Sequence, residues 1–168
     1  MSSQRAHLQQ ALGEHFRSHL STYSLLFHQA VAGRLGLHVT DLKCLDLARG
    51  ETELTPGRLA KLTGLTTAAV TSILDRLEQA GFVKRERDSS DRRKILVRPL
   101  GGRAEEVTHL FAPLDQAFSH LFEQYTTEEL ALLNEFALRV GQILQHETIR
   151  LREQSSKDTN HHGDDYCS

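Results

Sequence analysis

Arg85, Arg87, Arg92 and Arg93 fall within nine residues, with Asp88 and Asp91 set between them. A guanidinium keeps its charge and presents five donors in a planar fork, so arginine grouped this way suits phosphate and groove edges. A long arginine at a projecting tip can enter a minor groove, where narrow A·T-rich stretches concentrate negative potential. An acid two residues before it, as Asp91 is before Arg93, can hold and aim the fork. Just upstream lie Thr66, Thr67, Ala68, Thr71 and Ser72, followed by Asp75 and Arg76. Small hydroxyl side chains let a helix sit deep in a major groove and bond to base edges or phosphate. Exposed amides at such a helix start add an anion site near Thr66 and Thr67. This is the chemistry of binding. No HExxH, CxxC or nucleophile–base pattern is present, so catalysis is not expected.

These groups need a frame, and the flanking sequence supplies one. Thr55 suits an N-cap and Pro56 the first helical position, with Leu59, Ala60 and Leu62 facing inward. Thr63-Gly64-Leu65 is a tight break. Thr66 caps a second helix whose inner stripe is Val70, Ile73, Leu74 and Leu77, spaced i, i+3, i+4, i+7, and Gly81 ends it. Residues 82–86 and 93–98 read as two strands around a turn of Asp88-Ser89-Ser90-Asp91, with Ile95 and Val97 on the inner face. Pro99 and Gly101-Gly102 stop the hairpin. A short helix, Asp41 to Ala48 capped by Thr40, precedes the pair and buries Leu42, Leu45 and Leu47 or Ala48. Helix, tight turn, helix and hairpin is the winged helix-turn-helix order, here over 40–100.

The rest is helical. Leu12, Phe16, Leu20, Tyr23, Phe27 and Ala30 make one apolar face over 8–34. Val107, Leu110, Leu114, Ala117 and Leu121 do so over 103–124, where Pro113 should kink or split the helix. Leu130, Leu133, Ala137, Val140 and Leu144 do so over 127–152, begun by a capping box of Thr126 and Glu129. Phe111, Phe118, Phe122, Phe136 and Ile143 lie off these stripes, so the helices need more than one partner, and a helical dimer interface is the better explanation. The expected fold is mainly α with a small β-hairpin wing: one domain over 1–153, followed by a flexible polar tail, 154–168.

Charge is uneven. Residues 58–103 hold eleven Lys and Arg against five Asp and Glu, inside a chain of net charge -2. A basic block in an acidic chain points to an anionic partner for that block alone. No apolar run is long enough for a membrane helix, and MSSQRAHLQQ has no signal-peptide core, so a cytoplasmic, membrane-free protein is expected. Cys44 and Cys167 cannot build a disulfide framework.

The stretch "LTGLTTAAVTSILDRLEQAGFVKRERDSSDRRKILVRPL" resembles the MarR-type transcription regulators. The segment A-V-T-x-x-x-D-x-L-E, Ala69 to Glu78, followed by Gly81 and a D-x-R wing at Asp91-Arg92-Arg93, carries the resemblance, which covers roughly 10–150. It departs from the family at Pro99-Leu100-Gly101-Gly102. The resemblance implies a homodimer in which the first helix and the last two interlock. Each subunit then places a recognition helix, Thr66 to Arg76, and a wing on a pseudo-palindromic operator in double-stranded DNA, with Arg93 as the minor-groove arginine and Asp91 orienting it. It also implies a repressor released by a small aromatic ligand. His15, His19, Tyr23, His28 and Arg34 are the candidate pocket residues, and no cofactor or metal is expected. Two alternatives stand beside this reading: a thiol-responsive regulator of the same fold, and a metal-binding protein prompted by ten histidines and the ending His161-His162-Gly163-Asp164-Asp165-Tyr166-Cys167.

Overall fold

A computed structural model describes residues 2–161, and of those 2, 153 and 155–161 in their backbone only. The chain begins with α1 (Ser2–Glu14), which passes through a π-helical segment, π1 (His15–Leu20), into α2 (Ser21–Leu35). Next come α3 (Val39–Gly50), α4 (Pro56–Thr63) and α5 (Thr67–Gln79), the hairpin β1 (Val83–Arg87) and β2 (Ile95–Pro99), then α6 (Gly101–Phe122) and α7 (Thr127–His161).

The core gathers under α5. Leu42, Leu45, Leu54, Leu59, Val70, Leu74, Leu77, Phe82, Val83, Val97 and Val107 are essentially inaccessible. They come from α3, α4, α5, both strands, α6 and the segments before α4 and β1, so burying them fixes α5 and the hairpin relative to one another. Both expected caps form: Thr55 Oγ1 accepts from the Arg58 amide at 3.1 Å and Thr66 Oγ1 from the Ala69 amide at 3.2 Å. Gly81 adopts φ 76°, and the Phe82 and Gly81 amides close back on the Leu77 and Glu78 carbonyls at 2.9 and 3.0 Å. That is a Schellman ending, which turns the chain from α5 straight into the wing.

Several boundaries differ from expectation. α3 starts at Val39 with His38 as its cap residue, so Thr40 lies inside the helix. α6 starts at Gly101, two residues before the expected 103, and stays continuous through Pro113. Pro113 and His109 are both exposed, so water can satisfy the carbonyl that loses its donor. α7 continues to His161, past the expected end at 152. Residues 162–168 lie outside the described residues. In the hairpin, Leu96 and Val97 are buried while Ile95 is 46% exposed. Ile95 stands opposite Arg87 at the outer end of the ladder, beyond the core. The Val97 amide instead bonds the Leu54 carbonyl at 2.8 Å, which ties the wing to the segment before α4.

The expected capping box at α7 is present. The Thr126 amide donates to Glu129 Oε2 at 2.9 Å and the Glu129 amide to Thr126 Oγ1 at 3.2 Å. The long helices leave much apolar surface uncovered: Leu12, Leu20, Tyr23, Phe118, Phe122, Leu132, Leu133, Phe136, Ile143 and Leu144 are all exposed. Among the described residues no helix is long and apolar enough to cross a membrane.

Candidate nucleic-acid interface

α5 buries Val70, Ile73, Leu74 and Leu77 and turns its other face outward. Thr66, Thr67, Ala68, Thr71, Ser72, Asp75 and Arg76 are exposed there. Thr71 Oγ1 donates to the Thr67 carbonyl at 2.9 Å and Ser72 Oγ to the Ala68 carbonyl at 3.2 Å. Each hydroxyl thereby spends its proton inside the helix and keeps its lone pairs for an outside donor. Thr66 is committed as the cap, although it stays exposed.

Arg76 has a second partner that the sequence did not suggest. Its Nε and Nη2 donate to Asp41 Oδ2 and Oδ1 at 2.9 and 2.6 Å. The Asp41 side chain is 1% exposed and that of Arg76 45%. The bidentate pair therefore clamps α5 to α3, and the hydrogen bond to Asp41 raises the Arg76 pKa above its ordinary value. Arg76 was expected among the DNA-facing residues; here it is first a fastener, because a buried carboxylate demands its charge.

Arg85 likewise turns inward. Its amide donates to Glu78 Oε1 at 2.9 Å, its Nε and Nη2 to Glu78 Oε2 at 3.0 and 2.7 Å, and its Nη2 to Asp75 Oδ1 at 2.5 Å. The Arg85 amide, then its guanidinium, hold the Glu78 carboxyl below its usual range. This staple joins the root of the wing to α5. Arg98 does similar work on β2, bonding Glu86 Oε1 at 3.2 Å and the Thr52 carbonyl.

The tip is different. Asp88 Oδ1 accepts from the Ser90 and Asp91 amides, both at 2.7 Å, and from the Ser90 hydroxyl, and these bonds lower the Asp88 pKa. The Lys94 amide bonds the Asp91 carbonyl at 2.8 Å and the Asp88 amide the Lys94 carbonyl at 3.0 Å. Asp91 Oδ1 accepts from the Arg93 backbone amide at 3.1 Å. Asp91 thus bonds the main chain of Arg93, where a bond to the guanidinium was expected. The reason is local: a carboxylate two residues back reaches the amide in an Asx-type turn. Arg87, Arg92 and Arg93 are exposed, and among the described residues none of them forms an ion pair with a carboxylate.

Of the expected pocket residues, His28 alone lines the cavity of roughly 440 Å³ between α2, α3, the end of α4 and α7. Ser21, Ser24, Leu25, Thr40, Lys43, Cys44 and Leu65 also line it. His15, His19, Tyr23 and Arg34 are exposed elsewhere on the first helical segments. Burial lowers the pKa of Lys43, partly offset by Asp46. Burial also pushes the Cys44 thiol up to about 11, with Asp41 adding to the shift and Arg76 opposing it. Such a thiol is a poor nucleophile at neutral pH, which weighs against thiol sensing at this position. Cys167, like the terminal histidine-rich stretch beyond His161, lies outside the described residues.

Comparison with known proteins places this arrangement. The family model described as the MarR family matches residues 37–95, which span α3 through the first residue of β2. The HTH-type transcriptional regulator YcgE of Bacillus subtilis is 41% identical over 149 residues, covering 89% of this chain and 96% of that protein. Wild-type MarR of E. coli in its apo form superposes with a TM-score of 0.53 at 25% identity, over 71% of this chain and 90% of that one. Two more distant structures share the fold. A MarR variant from E. coli complexed with operator DNA has a TM-score of 0.53 at 24% identity, over 77% of this chain and 93% of that one. CouR of Rhodococcus jostii RHA1, bound to p-coumaroyl-CoA, has a TM-score of 0.58 at 23% identity, over 74% and 87%. This chain belongs to the MarR family of transcriptional regulators.

Proposed function

We propose that the protein is a homodimeric, sequence-specific DNA-binding repressor that reads a pseudo-palindromic operator and lets go when a small aromatic ligand binds. One observation carries the DNA reading. α5 and the wing are fastened by Asp41–Arg76 and by Arg85 with Glu78 and Asp75, while Thr67, Ala68, Thr71, Ser72, Arg87, Arg92 and Arg93 stand exposed. A rigid support with an unspent donor and acceptor face is what groove readout requires. α5 would enter the major groove and Arg93 the adjoining minor groove, with Arg87 and Arg92 against phosphate.

The dimer reading rests on the apolar surface left open on α1, α6 and α7. Phe118 and Phe122 stack at 5.9 Å between ring centres with both rings exposed, a surface too apolar to leave in water. The ligand reading rests on the cavity against α3, the helix that also carries Asp41. The relative CouR, solved with p-coumaroyl-CoA, supports an aromatic acyl ligand class.

The test is a salt titration of operator binding. Arg93→Ala should weaken binding and flatten the slope of log affinity against log salt by about 1, since one cation leaves the interface. An unchanged slope and affinity would remove Arg93 from the groove.

A further inference from the structure

His15 and His19 occupy one line of the π-helical segment, four residues apart as His-Phe-Arg-Ser-His. Their rings lie 5.3 Å apart between centres, tilted by 56°, and both side chains are exposed. The two Nδ1 atoms face each other at 3.4 Å. That distance is long for a hydrogen bond, which favours about 2.7–3.2 Å from a nitrogen donor. It fits a shared metal ion. Two imidazole nitrogens held about 2.0–2.1 Å from one ion at the tetrahedral angle lie about 3.3–3.4 Å apart.

We propose that His15 and His19 form a two-imidazole chelate for a divalent transition metal of the nickel, copper and zinc class. Imidazole pairs at i, i+4 on a helix are a known metal-binding spacing, and these borderline ions are the ones imidazole suits. The support is pre-set: α1, π1 and α2 follow one another without a break, so the two rings start from a fixed backbone. π-helical turns inside α-helices are frequently found at functional sites. Neither imidazole is held by a carboxylate among the described residues, which leaves both for an ion. No described group of three or more His, Cys, Asp or Glu is set to hold a metal, so the chain supplies two ligands and leaves the other positions open. The HxxxH spacing has Phe16 where metalloprotease helices carry their glutamate.

The experiment is calorimetric titration of the untagged full chain with Ni²⁺ alone, beside His15→Gln and His19→Gln. The full chain should show one tight site per chain. Either variant should lose it, with affinity falling on the order of 10²-fold as a chelate becomes a single ligand. Binding by other histidines, including those of the terminal stretch, is common to all three proteins and cancels. Both rings are exposed, so far-UV circular dichroism of the variants should match the parent. A second readout needs no variant: in proton NMR, the His15 and His19 ring signals should broaden at the lowest Ni²⁺ concentrations. Superimposable isotherms, or broadening that begins at other histidines while these two stay sharp, would overturn the chelate.

Discussion

Arg76 can be asked directly whether it fastens α5 or reads DNA. Arg76→Ala leaves the Asp41 carboxylate 1% exposed with both of its donors gone. Stranding one member of a buried ion pair costs about 3–5 kcal/mol. Asp41→Asn is the milder change, because the Arg76 side chain is already 45% exposed and can turn to water. Its cost should be about 1–3 kcal/mol, the loss of a charge-assisted bond with a partner that resolvates. For a chain of this length each kcal/mol moves Tm by about 2–4 °C. Arg76→Ala should therefore lower Tm by about 6–20 °C and Asp41→Asn by clearly less. The pair Asp41→Leu with Arg76→Met should recover much of the loss, since apolar replacements of buried pairs are often neutral or better. Differential scanning fluorimetry with urea unfolding measures all three. The reasoning fails if Arg76→Ala keeps the parent Tm yet loses operator binding, for Arg76 would then be a reader and the clamp idle.

Two further outcomes follow from single positions. Gly64 has φ 64°, and a Cβ there would sit 3.1 Å from Ile149 Cγ1, so Gly64→Ala should cost at least about 1–2 kcal/mol, read as a lower urea midpoint. With its thiol pushed up to about 11, Cys44 should be almost wholly protonated at pH 7; alkylation by iodoacetamide followed by mass spectrometry should find it unmodified until urea opens the core.

The helices and the wing were legible because they rest on local signals. Thr55-Pro56, Thr66, Gly81 and the Thr126–Glu129 box each satisfy backbone groups within four residues, so spacing alone reveals them. The inner stripe of α5 came from periodicity in the same way. The fasteners were not legible. Asp41 lies 35 positions from Arg76 and looked like an ordinary first-turn acid of α3. Its only signal was an acid next to Leu42 on a helix that otherwise buries its inward face. Arg85 sat among wing arginines, and charge count cannot tell a paired guanidinium from an exposed one. Ile95 failed for a related reason: alternation alone cannot tell where the core ends, and Ile95 stands opposite Arg87 at the outer end of a regular ladder. The cavity beside His28 is closed by α3, α4 and α7, whose approach no local pattern encodes.

The central claim, that paired α5 helices and wings read DNA, is tested most directly by selecting bound sequences from a random DNA pool. Enrichment of an inverted repeat whose half-sites lie about 10 base pairs apart, one helical turn, is expected, matching a two-fold dimer. No enrichment, or a single half-site without its inverted partner, would contradict it.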